Sequence, residues 1–217
     1  MSAIVKLMNS ILLAINGFTH NYGLSIIVLT IIIKIITWPL MSKQLSSAKA
    51  MQELQPELKK IQEKYKNDQA KLNQATMELW QKHNINPLAG CLPLLIQLPI
   101  LWAMFQVLRS PEGLTGSTIF LGIDMLQALR TAEGLQTHPG YWILVIVSAV
   151  TTFLQQKVMM TDNSQKAMTF MMPILLLYFS INFQSGLVLY WVVSNLLSLG
   201  QHLLINRRPM KGAVSEE

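Results

Sequence analysis

Apolar residues fall along this chain in five blocks, at 22–42, 87–108, 141–160, 167–182 and 186–206, separated by polar stretches of very different character. About 20 mostly apolar residues let a helix cross roughly 30 Å of hydrocarbon at 1.5 Å per residue. The blocks therefore predict an all-α integral membrane protein with five transmembrane helices. In the first 21 residues, Ile4, Leu7, Met8, Ile11, Leu12 and Ile15 share one helical face while Lys6, Asn9 and Asn16 lie elsewhere, the pattern of an interfacial helix outside the membrane. A signal peptide is the rival reading, but no small-x-small cleavage site follows Ala14 before His20 and Asn21.

Residues 43–84 are a soluble insertion in which eight lysines stand against Glu53, Glu57, Glu63, Asp68 and Glu78. Met51, Leu54, Leu58, Ile61 and Tyr65, then Leu72, Ala75, Leu79 and His83, recur at three-four spacing on both sides of the breaker Asn67–Asp68. Two helices paired as an antiparallel hairpin fit that spacing, with a bend expected at Pro56 inside the first arm. The block 87–108 carries Pro93 and Pro99, which spans tolerate where neighbours, side chains or water satisfy the freed carbonyls. Residues 109–140 read as a loop with a surface-dipping segment at Ile119, Phe120, Leu121 and Ile123. A short turn at 161–166 and a tail at 207–217 complete the chain.

Composition sharpens the class. Only 13% of the 217 residues are charged, 51% are apolar and the formal charge is +6. The basic excess lies beside the spans, where it sets orientation and attracts anionic lipid, so no direct nucleic-acid partner is expected. Thirteen Lys and Arg flank one side of the five blocks and three, Lys6, Arg109 and Arg130, the other. The positive-inside bias places the N-terminus outside and the hairpin, the 161–166 turn and the C-terminus in the cytoplasm. A single cysteine, Cys91, excludes an intramolecular disulfide and a multi-cysteine metal site, leaving it as a small packing residue.

Candidate chemistry is sparse. The four histidines have no metal spacing, no glycine-rich phosphate loop occurs, and no acidic residue lies in any of the five blocks. Neither catalysis nor a cofactor is expected. Lys34 is the one charge deep in a block. A lysine there costs about 2.5–3.5 kcal/mol by insertion scales, so such groups face protein or a water-filled cavity. The competing reading is snorkelling to the head groups, since Trp38, Pro39 and Lys43 mark an interface one to two turns away. Thr30, Lys34 and Thr37 share a helix face. Gln97, the pairs Thr151–Thr152 and Gln155–Gln156, and Ser194, Asn195, Ser198 and Gln201 are the other polar groups in the blocks, and their convergence would make a hydrophilic groove holding one fixed cation. Gln97 is equally readable as hydrogen-bonding glue between spans.

Five stretches carry a resemblance: IIVLTIIIKIITWPLMSKQ (26–44), LQPELKKIQEKY (54–65), NPLAGCLPLLIQLPILWAMF (86–105), MTFMMPILLLYF (168–179) and SGLVLYWVVSNLLSLGQ (185–201). In this order they resemble the bacterial YidC membrane-protein insertases, relatives of the mitochondrial Oxa and chloroplast Albino insertases. The resemblance implies a five-span core around a groove open to cytoplasm and lipid but closed outside, with a cytoplasmic helical hairpin that helps receive clients. Lys34 matches the groove arginine of the family, Thr30 and Trp38 match neighbouring groove positions, and Gln97, Tyr190 and Trp191 match residues on the facing spans. Asn195 is taken with them as a groove residue. Lysine at position 34 keeps the charge and loses the planar fork that binds a carboxylate bidentately. The large extracytoplasmic domain of many members and a lipid-attachment cysteine near the start are absent from the sequence, and the basic tail is short, so tail-dependent ribosome contact is expected to be weaker.

The expected function is insertase or chaperone: short hydrophilic tails of nascent membrane-protein clients cross the groove and their apolar helices leave sideways into the bilayer. A translocon, ribosome or targeting receptor would meet the hairpin 43–84 and the tail. A small anion transporter or channel using Lys34 as its binding charge is the alternative, against which stand the odd span count, the lack of an internal repeat and the hairpin. An assembly partner that inserts nothing by itself is a third.

Overall fold

The computed structural model describes residues 3–83, 92–109, 113–130, 139–159 and 166–206. The stretch around Cys91, the 161–165 turn and the basic tail lie outside the described residues. Among the described residues, eight helices follow one another: α1 (Ala3–Thr19), α2 (Tyr22–Glu53), α3 (Gln55–Lys64), α4 (Gln69–Lys82), α5 (Leu92–Arg109), α6 (Pro139–Met159), α7 (Lys166–Asn182) and α8 (Ser185–Asn206). Between α5 and α6 stands a two-stranded antiparallel pair, β1 (Ile119–Phe120) and β2 (Ile123–Asp124), where the sequence predicts a loop with a surface-dipping segment and no strands. Two residues per strand are too few to show alternation, so the pattern carries no signal for them.

Among the described residues, three helices are long and apolar enough to cross a membrane: α2 over Tyr22–Met51, α6 over Pro139–Val158 and α8 over Ser185–Ile205. At 1.5 Å per residue the 32-residue α2 runs to about 48 Å, well beyond the hydrocarbon thickness. It continues unbroken through Pro39, whose ring leaves the Ile35 carbonyl without its helical donor. The helix ends instead at Glu53, and Pro56 sits in the first turn of α3, where a missing N–H costs nothing. The expected bend at Pro56 is thus a break just before it. Asp68 opens α4 by accepting the Lys71 backbone N–H at 3.1 Å. Leu58 and Leu79 are buried, one from each helix of this pair.

The core gathers Leu12 of α1, Ile26 and Leu29 of α2, Met104 and Leu108 of α5, and Tyr190 of α8. Apolar residues largely exposed on the outer faces, among them Ile35, Ile36, Ile146, Ile174 and Leu203, suit lipid. The inward face of α1 differs from its sequence pattern: Val5, Met8, Leu12 and Asn16 are buried, while Ile4, Leu7 and Phe18 face outward. Asn16 turns inward because it has partners there. Its amide donates to the Ser25 hydroxyl at 3.3 Å and accepts from the Thr115 backbone N–H at 2.9 Å.

One end of the bundle is capped by backbone pairing between segments far apart in the chain. Ser117 N–H donates to the His20 carbonyl and the Tyr22 N–H to the Ser117 carbonyl, at 3.0 and 2.9 Å. Gly116 has φ +85 and leaves no room for a Cβ against the His20 carbonyl, so glycine is required there. The segment 125–130 then docks on the α7–α8 turn: Ser185 and Gly186 N–H groups donate to the Gln127 and Met125 carbonyls, each at 2.8 Å, and the Arg130 N–H to the Ile181 carbonyl at 3.0 Å. The starts of α2, α6 and α8 and the end of α7 all meet this cap, so α2 and α8 run parallel away from it.

Candidate functional site

The seam between α2 and α8 changes character along its length. Beside the cap it is apolar and close: a Cβ on Gly186 would lie 2.9 Å from Ile26 Cδ1 and 3.0 Å from the Met125 carbonyl oxygen. Farther along, the same two helices meet through polar groups. Lys34 lies 12 residues into α2, about 18 Å from its start. Its Nζ donates to Ser198 Oγ at 2.8 Å, and Ser198 Oγ donates to the Ser194 carbonyl at 2.9 Å. One turn on, Gln201 Nε2 donates to the Trp38 carbonyl at 3.2 Å and to Ser42 Oγ at 3.3 Å. The ammonium reaches across to α8, not along its own helix towards Lys43. Among the described residues the ion pair present is Lys71–Asp68, on the surface helices, and Lys34 has no acidic partner.

The remaining polar groups sort into two further sets. Gln97 Nε2 of α5 donates to Tyr190 Oη of α8 at 2.7 Å. On the other side of α8, Trp191 Nε1 and Asn195 Nδ2 both donate to Thr152 Oγ1 at 2.9 Å, and Asn195 also reaches Thr151 Oγ1 at 3.3 Å. Thr152 in turn donates to the Ser148 carbonyl at 2.7 Å, and the Ser148 and Ser180 hydroxyls meet at 3.0 Å. These groups bind α6, α7 and α8 to one another. Thr30 is fully buried and donates to the Ile26 carbonyl of its own helix at 2.6 Å, and Thr37 does the same to Ile33 at 2.9 Å.

Lys34 and Trp38 thus stand at the α2–α8 seam, Gln97 and Tyr190 bridge α5 and α8, and Trp191 and Asn195 face α6. Three residues the sequence did not single out belong to these sets: Ser42 at the seam, and Ser148 and Ser180 between α6 and α7. A lone serine in a span gives no signal by itself. Chemically, the seam offers a cation with N–H donors beyond the one given to Ser198, carbonyls and hydroxyls, and no nucleophile with a base. It can hold an anion or an ordered chain of polar groups by charge and hydrogen bonding.

This arrangement defines a class: a polytopic helical membrane protein with one cation between parallel helices, capped at one end. The chain belongs to the 60Kd inner membrane protein family, whose model matches residues 14–212. It is 46% identical over 200 residues to the membrane protein insertase MisCA of Bacillus subtilis, covering 88% of this chain and 72% of that protein. It is 45% identical over 207 residues to the membrane protein insertase YidC 2 of Bacillus anthracis, covering 91% and 77%. With the membrane protein insertase YidC of Syntrophus aciditrophicus it shares 42% identity over 194 residues, 88% of this chain and 34% of the relative. The chain therefore spans about a third of that relative and about three quarters of the two Bacillus proteins. A crystal structure of active YidC insertase with the first transmembrane domain resolved superposes with a TM-score of 0.69 at 26% identity, over 91% of this chain and 45% of that one. Family and apolar helices together place the protein in a bacterial membrane.

Proposed function

We propose that the chain is a membrane-protein insertase and chaperone. In this reading α2, α5, α6, α7 and α8 are the five spans, α3 and α4 form a cytoplasmic hairpin, and the cap of residues 113–130 lies outside, with the N-terminus, while the C-terminus is cytoplasmic. Polar tails of clients enter from the cytoplasmic end of a hydrophilic groove lined by Lys34, Trp38, Gln97 and Trp191 and backed by the buried Thr30, Tyr190 and Asn195. The hairpin and the tail are the surfaces offered to a translocon, ribosome or targeting receptor.

The observation that carries this reading is the Lys34 ammonium, turned from α2 to Ser198 with no acidic partner among the described residues. A cation held so, where the helix seam has passed from dry to polar, offers counter-charge to an acidic tail while the rest of the client meets lipid. The apolar client segment supplies the driving force, since each Å² removed from water is worth about 25 cal/mol. The protein lowers the barrier for the short polar portion, and the scheme needs no nucleotide and no covalent step. In proteoliposomes holding only this protein, Lys34→Ala is expected to slow insertion of a client with an acidic tail more than one with a neutral tail. Equal slowing of the two would refute charge attraction, and no insertion by the unaltered chain would refute the insertase reading itself.

A further inference from the structure

The β1–β2 connection is built against the usual rules of its turn. Leu121 and Gly122 both have positive φ, +52 and +79, the combination of a type I′ hairpin turn. Such turns favour Asn-Gly, because asparagine tolerates the left-handed region and leucine is crowded there. Leu121 gains no compensating burial, being 83% exposed, and its neighbour Ile119 is 56% exposed. Nothing from Ser117 to Ile123 carries a charge. In water this tip would be strained and greasy at once.

The hairpin is nevertheless held firmly in place. Phe120 packs over Gly23 at the start of α2, and Ile123 packs against Gly140 at the start of α6. Asn21 Nδ2 donates to the Ile119 carbonyl at 2.9 Å, and the Asp124 N–H donates to the Tyr141 hydroxyl at 3.0 Å. Leu121 therefore stands at the rim where two membrane helices begin. The Leu121 carbonyl lies beside Gly140, and the first turns of α6 that follow expose Trp142, Ile143, Ile146 and Val150, which lipid covers in a spanning helix. Trp142 is the residue type that sits among head groups.

We propose that the Leu121–Gly122 turn dips into the interfacial layer of the bilayer at this end of the bundle, with Leu121 and Ile119 as its lipid contacts, and fixes the depth of the cap. The anchor stands whether or not the chain inserts clients. To test it, the full chain carrying Cys91→Ser and Leu121→Cys is labelled with an environment-sensitive fluorophore in phosphatidylcholine–phosphatidylglycerol vesicles, with Ile146→Cys and Lys66→Cys as lipid and water references. The position 121 probe is expected to lose iodide quenching relative to position 66 and to be quenched by nitroxides near the head group more than by mid-chain nitroxides. Position 146 should show the reverse depth order. Iodide quenching at 121 equal to that at 66 would overturn the anchor, and a blue-shifted probe reached by neither quencher would assign the tip to a protein partner instead. A benzoylphenylalanine at position 121, with Cys91 left in place, provides the arm that does not depend on the cysteine change: crosslinks to lipid support the anchor, and crosslinks to a second copy overturn it.

Discussion

Removing the Ser198 hydroxyl isolates what the α2–α8 seam does for Lys34. Ser198→Ala deletes the acceptor 2.8 Å from the ammonium and leaves the Ser194 carbonyl its helical partner, so the loss falls on the cation alone. Hydrogen bonds to charged groups contribute about 1.5–3 kcal/mol in soluble proteins, whereas contacts between membrane helices average nearer 0.6 kcal/mol. Lys34 is only half-buried, so water replaces part of the bond, and a net cost of about 1 kcal/mol is the reasonable figure. That shifts the balance between an inward and a snorkelled ammonium by a factor of about five. With purified protein in vesicles, insertion of an acidic-tailed client, read by protease protection, should fall by up to that factor while a neutral-tailed client is spared. The double-mutant cycle with Lys34→Met gives the sharper result: once the cation is gone, Ser198→Ala should cost nothing further. Additive losses in the double mutant, or equal losses for both clients, would refute the idea that Ser198 works through Lys34.

Other expectations follow from named contacts. Thr152→Val keeps the side-chain shape and removes the oxygen that joins Trp191, Asn195 and Ser148, and should lower stability by about 1–2 kcal/mol, seen as a lower unfolding midpoint in nanodiscs that Thr152→Ser restores. Gly186→Ala forces a methyl against Ile26 and the Met125 carbonyl and should cost about 1–3 kcal/mol, whereas Gly17→Ala meets open space in α1 and should stabilise by about 0.5–1 kcal/mol, both read in the same unfolding assay. The Lys71 backbone N–H holds the Asp68 carboxyl below the usual carboxylate range, so its stabilisation of α4 is fully present above the unfolded value and is lost as pH falls through the lower folded one. Protection of the amides in the first turn of α4, taken relative to the intrinsic exchange rate at each pH, should therefore fall at acid pH, and Asp68→Ala should show the lower protection at every pH.

Block length and composition made the helices legible, because a bilayer demands a long apolar run and tolerates few exceptions. Lone polar residues were legible for the same reason: Lys34 and Gln97 stand out against apolar surroundings. Neighbours were not. Spacing on one helix defines a face and cannot say which helix it meets, so Thr151, Thr152, Asn195, Ser198 and Gln201 read as one set, while the fold divides them between the α6 and α2 sides of α8. Asn16 failed similarly. Its polarity argued for an outward position, but the partner that draws it inward, Thr115, lies 99 residues away. At Pro56 the residue type predicts a bend inside the first arm, whereas α2 ends at Glu53 and leaves the proline in the first turn of α3.

In the proposed groove the two seams of α8 would divide the work. Towards α6 and α7 the polar groups satisfy one another: Trp191, Asn195, Thr151, Thr152, Ser148 and Ser180 are linked within protein, which favours a fixed unit over one that parts. Towards α2 the bonds are fewer, each reaching a single partner helix, and among the described residues no carboxylate pairs with the cation they hold. The dry contact of Gly186 with Ile26 pins this second seam at the capped end, and polar bonds hold it farther along. A polar chain entering from the opposite end would therefore compete with water and serine hydroxyls for the Lys34 ammonium, and would stop where the seam turns apolar. On this account substitutions that loosen Gly186 should let tails pass deeper, while substitutions at Thr152 should change stability before they change which tails are accepted. A Thr152→Val protein that discriminates between acidic and neutral tails as the unaltered chain does, at a reduced unfolding midpoint, is the expected outcome. Loss of that discrimination in a folded Thr152→Val protein would place the selective surface on the α6 side and remove Lys34 from its central role.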